Sequence, residues 1–167
     1  MIEMYCILSA DEKWGIGKDN RLLVSIPADM KQFREKTEGN VVIMGRKTLE
    51  SFPKGLPLKN RVNIVLSSKT EASGNGEIVV RSVGEALEEV KKYPDKKIFV
   101  IGGSSIYEQF LPYVDTVYVT RIDRTYDADS YFPNLDEDEN WEIASKSEEQ
   151  TCFDLTYRYV TYQRKKS

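Results

Sequence analysis

The chain of 167 residues contains no histidine. That absence removes Ser–His and Cys–His nucleophilic machinery and the commonest metal ligand. Any proton chemistry must run on carboxylate, tyrosine, lysine or water. Cysteine is nearly as scarce. Cys6 and Cys152 each lie inside a strand-like apolar run with no CxxC spacing, and they read as buried free thiols, not zinc ligands. Long hydrophobic runs are also missing. The opening MIEMYCILSADEK has no basic n-region and too short an apolar stretch for a signal peptide or a membrane span. A cytoplasmic protein is expected. A surplus of positive charge is absent too, since the formal net charge is -3. No basic stripe with interleaved aromatics is present, so neither nucleic acid nor an anionic membrane is an expected partner.

What is present is an ordinary globular composition, 40% hydrophobic and 31% charged, with no repeat and no linker that would divide the chain. One domain spanning 1–167 is expected. Short apolar runs punctuate it: MYCIL (4–8), VVIM (41–44), VNIVL (62–66), IFVI (98–101) and VYVT (117–120). Continuous Val/Ile runs of this length suit parallel strands covered on both faces. Helical patterns alternate with them. Pro27 opens one over 27–37. Ser82 and Glu85 form a capping box for a second over 82–94, with Val83, Ala86, Leu87 and Val90 on one face. Ser105 and Glu108 repeat that device over 104–112. The end differs: 141–147 and 151–163 are longer, and Phe153, Leu155, Tyr157 and Tyr159 alternate, as in an antiparallel pair. The sum is an α/β fold with a mixed sheet and an antiparallel edge.

Two strands end in turns ready for phosphate. VVIMGRKTLESF (41–52) is a buried strand, a glycine, two cations and a helix start. IFVIGGSSIYEQF (98–110) is a buried strand, two glycines and a serine-rich helix start. Such sites lie at the carboxyl ends of strands, where α/β sheets bind ligands. Each alone is also compatible with a simple turn, and neither is a GxGxxG or Walker loop. Asp29 is the other anomaly: a carboxylate following LLVSIPA at 22–28 and preceding Met30 and Phe33. Its bland explanation is a first-turn acid against the helix macrodipole.

The segments WGIGKDN (14–20), IPADM (26–30), VVIMGRKTLES (41–51), RVNIVLSS (61–68), VIGGSSIYEQFLP (100–112), VTRID (119–123) and DADSYFP (127–133) together resemble the dihydrofolate reductase family. The resemblance covers nearly the whole length and lies in the order and spacing of the pieces. It implies a three-layer fold with an eight-stranded, mostly parallel mixed sheet, an antiparallel C-terminal edge and about four helices. It also implies NADPH-dependent reduction of 7,8-dihydrofolate to tetrahydrofolate, in support of one-carbon metabolism and thymidylate synthesis. Antifolates are the inhibitors it implies, and a monomer is expected.

By similarity, Asp29 is the ionisable residue against the pterin, with Thr120 hydrogen-bonded to it. Ile7, Leu22, Val24, Phe33, Leu58 and Ile101 line the substrate pocket, and Arg61 pairs with the glutamate α-carboxylate. The cofactor contacts are implied at Ser9, Ile16, Gly45, Arg46, Lys47, Thr48, Leu66, Ser67, Ser68 and Lys69. A second set follows at Gly102, Gly103, Ser104, Ser105, Ile106 and Tyr107, with a cis bond between the two glycines. Residues Ile16 to Leu22 correspond to a mobile lid. In this reading Asp29 sits among apolar groups because burial raises its pKa and leaves its grip on the pterin least screened. A water then delivers the proton to N5.

Three positions depart from the family pattern. Val24 stands where tryptophan is common, Ser105 where a basic residue is frequent, and Ser9 where alanine is usual. Two other readings share the sequence features: a pyrimidine reductase of the riboflavin pathway, and a dinucleotide-binding module without chemistry. IPADM with Thr120 favours folate over the first. Asp29 in an apolar setting argues against the second.

Overall fold

The computed structural model describes residues 3–68 and 71–166. In chain order the elements are β1 (Met4–Ala10), β2 (Gly15–Gly17), α1 (Pro27–Thr37), β3 (Val41–Gly45), α2 (Arg46–Glu50), β4 (Val62–Leu66) and β5 (Ile78–Val80). They continue with α3 (Val83–Val90), β6 (Ile98–Gly102), α4 (Ser104–Phe110), β7 (Thr116–Ile122), β8 (Ser130–Tyr131), β9 (Trp141–Lys146), β10 (Gln150–Cys152) and β11 (Leu155–Arg164).

The main sheet runs in the order β10-β11-β7-β1-β6-β3-β4-β5, with β9 also paired to β11. Every pairing from β7 to β5 is parallel, and β11 is antiparallel to β7. The strand count is therefore nine against the expected eight. The difference is local. β9 and β10 pair with opposite ends of the ten-residue β11, so they share one edge position in two pieces, separated by residues 147–149. Phe153 is a second correction. It does not belong to an alternating strand: it has φ +55° and is fully exposed at the tip of the β10–β11 turn.

The parallel strands alternate in burial by side. Met4, Cys6, Ile43, Ile64, Ile98 and Val100 belong to one apolar cluster. Ile7, Val42, Met44, Val65 and Phe99 belong to another. Side chains on successive residues of a strand point to opposite faces, so these clusters are the two sides of the sheet. Ala86 and Val90 of α3 and Phe110 of α4 join the first. Phe33 of α1 and Leu49 of α2 join the second. Helices on both faces make three layers, as the run of buried strands requires.

α1 begins at Pro27 and ends at Thr37, and α3 is capped by Ser82, whose hydroxyl accepts from the Glu85 amide. α4 differs from expectation. It starts at Ser104 after Gly103, with no side-chain cap. Ser105 therefore lies within the first turn and its hydroxyl accepts from Gln109. Cys6 is buried and Cys152 half-buried, both free. β2, β5 and β8 escaped the sequence reading because they have three residues or fewer, below the length at which alternation is visible.

Candidate active site

The carboxyl ends of β1, β6, β3 and β4 lie side by side and open into one cleft of about 1120 Å³. The order of the parallel strands explains this convergence. Ile7 and Ser9 come from β1, Gly45 from the end of β3, Leu66 from β4, and Ile101 and Gly102 from β6. At the end of β6 the register slips: Val100 opposes Ile43, but Gly102 opposes Met44. The extra residue turns the chain out of the sheet, and Ile101 lines the cleft at that point. The peptide bond between Gly102 and Gly103 is cis.

Asp29 stands in the first turn of α1 on the wall of this cleft. Its Oδ1 accepts from the Thr120 hydroxyl at 2.5 Å, a contact bridging 91 residues of sequence. Thr120 is itself buried, on β7 beside Ser9 of β1. Burial pushes the Asp29 carboxyl above its ordinary value, and the Thr120 hydrogen bond opposes part of that rise. The neighbours are apolar: Ile7, Phe33 and Ile101 line the same cleft. Leu22 and Met30, also on its wall, are among the more exposed large apolar side chains of the molecule, at 52% and 45%. Exposed apolar groups rimming a concave site mark a surface made for a ligand.

The opposite arm of the cleft is polar. Gly45, Arg46, Lys47 and Thr48 border it from one turn, and Gly103, Ser104, Ser105 and Ile106 from the other. The first amides of α2 and α4 have no partner within their own helix, and glycine lets a ligand backbone or phosphate come close. The two turns also pack on one another. A Cβ on Gly45 would meet the Ile106 side chain at 3.1 Å. Tyr107 locks the second turn to β1: its buried hydroxyl donates to the Ile7 carbonyl at 2.9 Å, and burial raises its pKa well above the usual tyrosine value. Ser67 and Ser68 follow β4 on the same rim, and Arg46 pairs with Glu50 at 2.6 Å.

Gly102 supplies a test of that arm. Its φ is +122°, a conformation L side chains rarely adopt, and an added Cβ would meet the Tyr107 ring at 3.4 Å. Gly102→Ala is expected to cost about 1–3 kcal/mol, seen as a melting temperature lower by several degrees.

Residues 16–22 cover one side. Ile16, Gly17, Asn20, Arg21 and Leu22 line the cleft. β2 pairs with β8, and the Gly17 carbonyl accepts from Asp129 at 2.9 Å. Asp11 anchors the base of this segment. Its buried carboxylate accepts from the amides of Lys13, Gly15 and Tyr126.

Most of the residues expected from the sequence meet at this cleft, and four do not line it. Val24 is half-buried and packs with Ile26, Ile122, Leu155 and Tyr157. Leu58 is half-buried in the same cluster as Ile7, Phe33 and Phe52. Thr120 reaches the site through Asp29. Arg61 stands beyond the rim, its guanidinium bonded to Thr37. Lys69 lies outside the described residues. Beyond the lid segment, which contains Gly17, Asn20 and Arg21, the sequence reading missed Leu8, Ser25, Met30, Ser51, Phe52, Pro53 and Ser130 as lining residues. Among these Phe52, an aromatic just beyond a helix, carried a local signal. No cluster of acidic or thiol ligands fit for a metal occurs among the described residues, and no helix there is long and apolar enough to cross a membrane.

Comparison with known proteins gives a consistent result. The family model described as dihydrofolate reductase matches residues 3–164. A dihydrofolate reductase of Bacillus subtilis is 38% identical over 165 residues, covering 96% of this chain and 94% of its own. One from Haemophilus influenzae is 40% identical over 150 residues, 87% of this chain and 90% of its own. Among solved structures, dihydrofolate reductase from Enterococcus faecalis, complexed with NADP(H) and RAB-propyl, superposes with a TM-score of 0.86. It is 33% identical and the match covers 98% of this chain and 97% of that one.

Proposed function

The chain belongs to the dihydrofolate reductase family, and from that membership and the cleft we propose that it reduces 7,8-dihydrofolate to tetrahydrofolate with NADPH. The observation that carries this reading is Asp29: a half-buried carboxylate in an apolar wall, held by Thr120 and opening on the cleft.

The substrate's outline can be read along α1. Asp29, Phe33 and Thr37 recur every fourth residue and so share one face, about 6 Å apart per step. Thr37 carries the guanidinium of Arg61. A ligand laid along this face would meet an acid, then an aromatic ring, then a cation. Dihydrofolate has the matching order of pterin, benzoyl ring and carboxylate.

The polar arm fits a phosphorylated dinucleotide: two glycine turns packed on each other, with hydroxyls and two cations on the rim. Gly45, Thr48, Gly102, Gly103 and Ser104 would hold the pyrophosphate region. Arg46, Lys47 and Ser68 would hold the 2′-phosphate. NADPH, when bound, supplies the hydride that C6 of the pterin accepts.

The chain's own part is orientation and charge. Asp29 accepts hydrogen bonds from the amino-pyrimidine edge, and Thr120 fixes the carboxylate plane that does so. Ile7, Phe33 and Ile101 exclude water around it, so the negative charge acts at low dielectric and favours protonation at N5. The proton itself comes from a water, because Asp29 is the one carboxylate that lines the cleft among the described residues.

NADPH oxidation followed by absorbance, with and without dihydrofolate, tests the reading. Consumption that depends on dihydrofolate is expected. NADPH binding without turnover would instead favour a pure cofactor-binding module.

The placement of Val24 changes what a tryptophan there should do. Its neighbours are core side chains, so Val24→Trp is expected to lower stability by about 1–3 kcal/mol through overpacking. The dihydrofolate dissociation constant should be little altered. Thermal melting beside equilibrium binding checks both halves.

A further inference from the structure

Arg61 begins the segment that enters β4, where an arginine side chain would ordinarily wander in solvent. Here it is fixed at both ends. Nη1 donates to the Thr37 hydroxyl at 3.0 Å, and Nε donates to the Lys59 carbonyl at 2.8 Å. Burial lowers the pKa of the guanidinium, and an arginine keeps its charge in proteins. Thr37 is completely buried, and its hydroxyl also donates to the Phe33 carbonyl at 2.8 Å. One hydroxyl thus connects the arginine to the turn of α1 that carries Phe33.

The backbone under Arg61 is held with equal care. Asn63 on β4 is buried, and its amide is fully used. Oδ1 accepts from the Leu58 amide at 2.9 Å. Nδ2 donates to the carbonyls of Leu58 at 2.9 Å and Arg61 at 3.0 Å. The loop 58–61 is thereby tied to the sheet, with Leu58 packed toward Phe33 and Arg61 toward Thr37. Asn63 commits its whole side-chain amide to this one short loop, and Thr37 joins the loop's arginine to α1. Two buried polar side chains used in this way are costly to assemble for stability alone.

We propose that Thr37 and Asn63 are positioning residues that preset Arg61 as a rigid clamp for the carboxylate at the far end of the substrate. The proposal rests on the folate reading above and adds how selection of the tail is built. A guanidinium held in place loses little side-chain entropy when a carboxylate arrives, which is how prior ordering strengthens binding. Because the clamp lies beyond Phe33, away from the reacting end, it acts on affinity and leaves the chemical step alone.

Steady-state kinetics with two substrates separate this role from a structural one. One substrate is dihydrofolate. The other is 6-methyl-7,8-dihydropterin, which has the reacting ring and no benzoylglutamate tail. Thr37→Val should raise KM for dihydrofolate by about tenfold. It should leave kcat, and KM for the methylpterin, nearly unchanged. Thr37→Ser, which keeps the hydroxyl, should restore the dihydrofolate KM. Asn63→Ala should give the same one-sided loss.

Equal losses on both substrates, or no loss on either, would overturn the proposal. Where Thr37→Val melts early, Thr37→Ala removes the hydroxyl without the β-branch and carries the same expectation. Arg61→Gln separates the two levels of argument. If it also leaves the ratio of the two KM values unchanged, the carboxylate reading of Arg61 has failed. If it alone changes that ratio, only the roles given to Thr37 and Asn63 have.

Discussion

Asp29→Asn is expected to lose at least about a hundredfold of turnover near neutral pH, the range ascribed to a group that assists proton transfer. NADPH affinity should be kept. Asparagine has nearly the same shape and can still accept from Thr120 through its carbonyl oxygen. What it lacks is the charge that favours protonation of N5. The same substitution should raise stability, and the sign follows from the raised carboxyl. The unfolded chain releases this proton at the ordinary carboxylate value, while the folded protein holds it to higher pH. Through that window the folded state binds more protons, so parent stability falls as pH rises. Melting curves of the two proteins should therefore nearly coincide at pH below the ordinary carboxylate range. They should separate above it, with Asp29→Asn the more stable. A variant that is active within a few-fold of the parent, or destabilised at neutral pH, would remove Asp29 from the mechanism.

Arg46→Ala should weaken NADPH by about ten- to hundredfold, the range of one or two charge-assisted hydrogen bonds. Arg46 borders the cleft just past β3, and its present partner is Glu50, one helical turn on. Both side chains are about half exposed, so the pair itself contributes little and the guanidinium can be recruited by a phosphate. A dianionic 2′-phosphate distinguishes NADPH from NADH, and a planar guanidinium is suited to it. NADH binding should change by a few-fold at most. Equal losses for the two nucleotides would show that Arg46 does not read the 2′-phosphate. Lys47, exposed on the same helix, would then be the candidate.

Much of the architecture is legible because its signals are local. Pro27 can begin a helix and cannot sit inside one, and α1 runs from Pro27 to Thr37. The Ser82 hydroxyl can satisfy an orphan amide, and α3 starts beside it. Buried Val/Ile runs became β1, β3, β4, β6 and β7. Where the same logic fails, a longer-range contact has won. Ser105 and Glu108 carry the cap pattern, yet the turn from β6 delivers the chain into α4 two residues earlier, with Gly103 at the cap position. Phe153 continues an alternation that the hairpin interrupts with a positive φ. β5 is only three residues long and is defined by pairing with β4.

The site divides along the same line. Composition alone excluded histidine chemistry, and the oddity of Asp29 among apolar neighbours was visible in a dozen letters. Its partner was not visible, except through likeness to a family: Thr120 lies 91 residues away and meets Asp29 only because β7 runs beside β1. The clamp on Arg61 was hidden for the same reason. Thr37 precedes it by 24 residues, at the end of α1. Residue type and short-range pattern determine which groups are available and where helices and strands begin. Which of those groups share a desolvated space is decided by the order of strands in the sheet, because burial and hydrogen bonding act over a few ångströms whatever the distance along the chain.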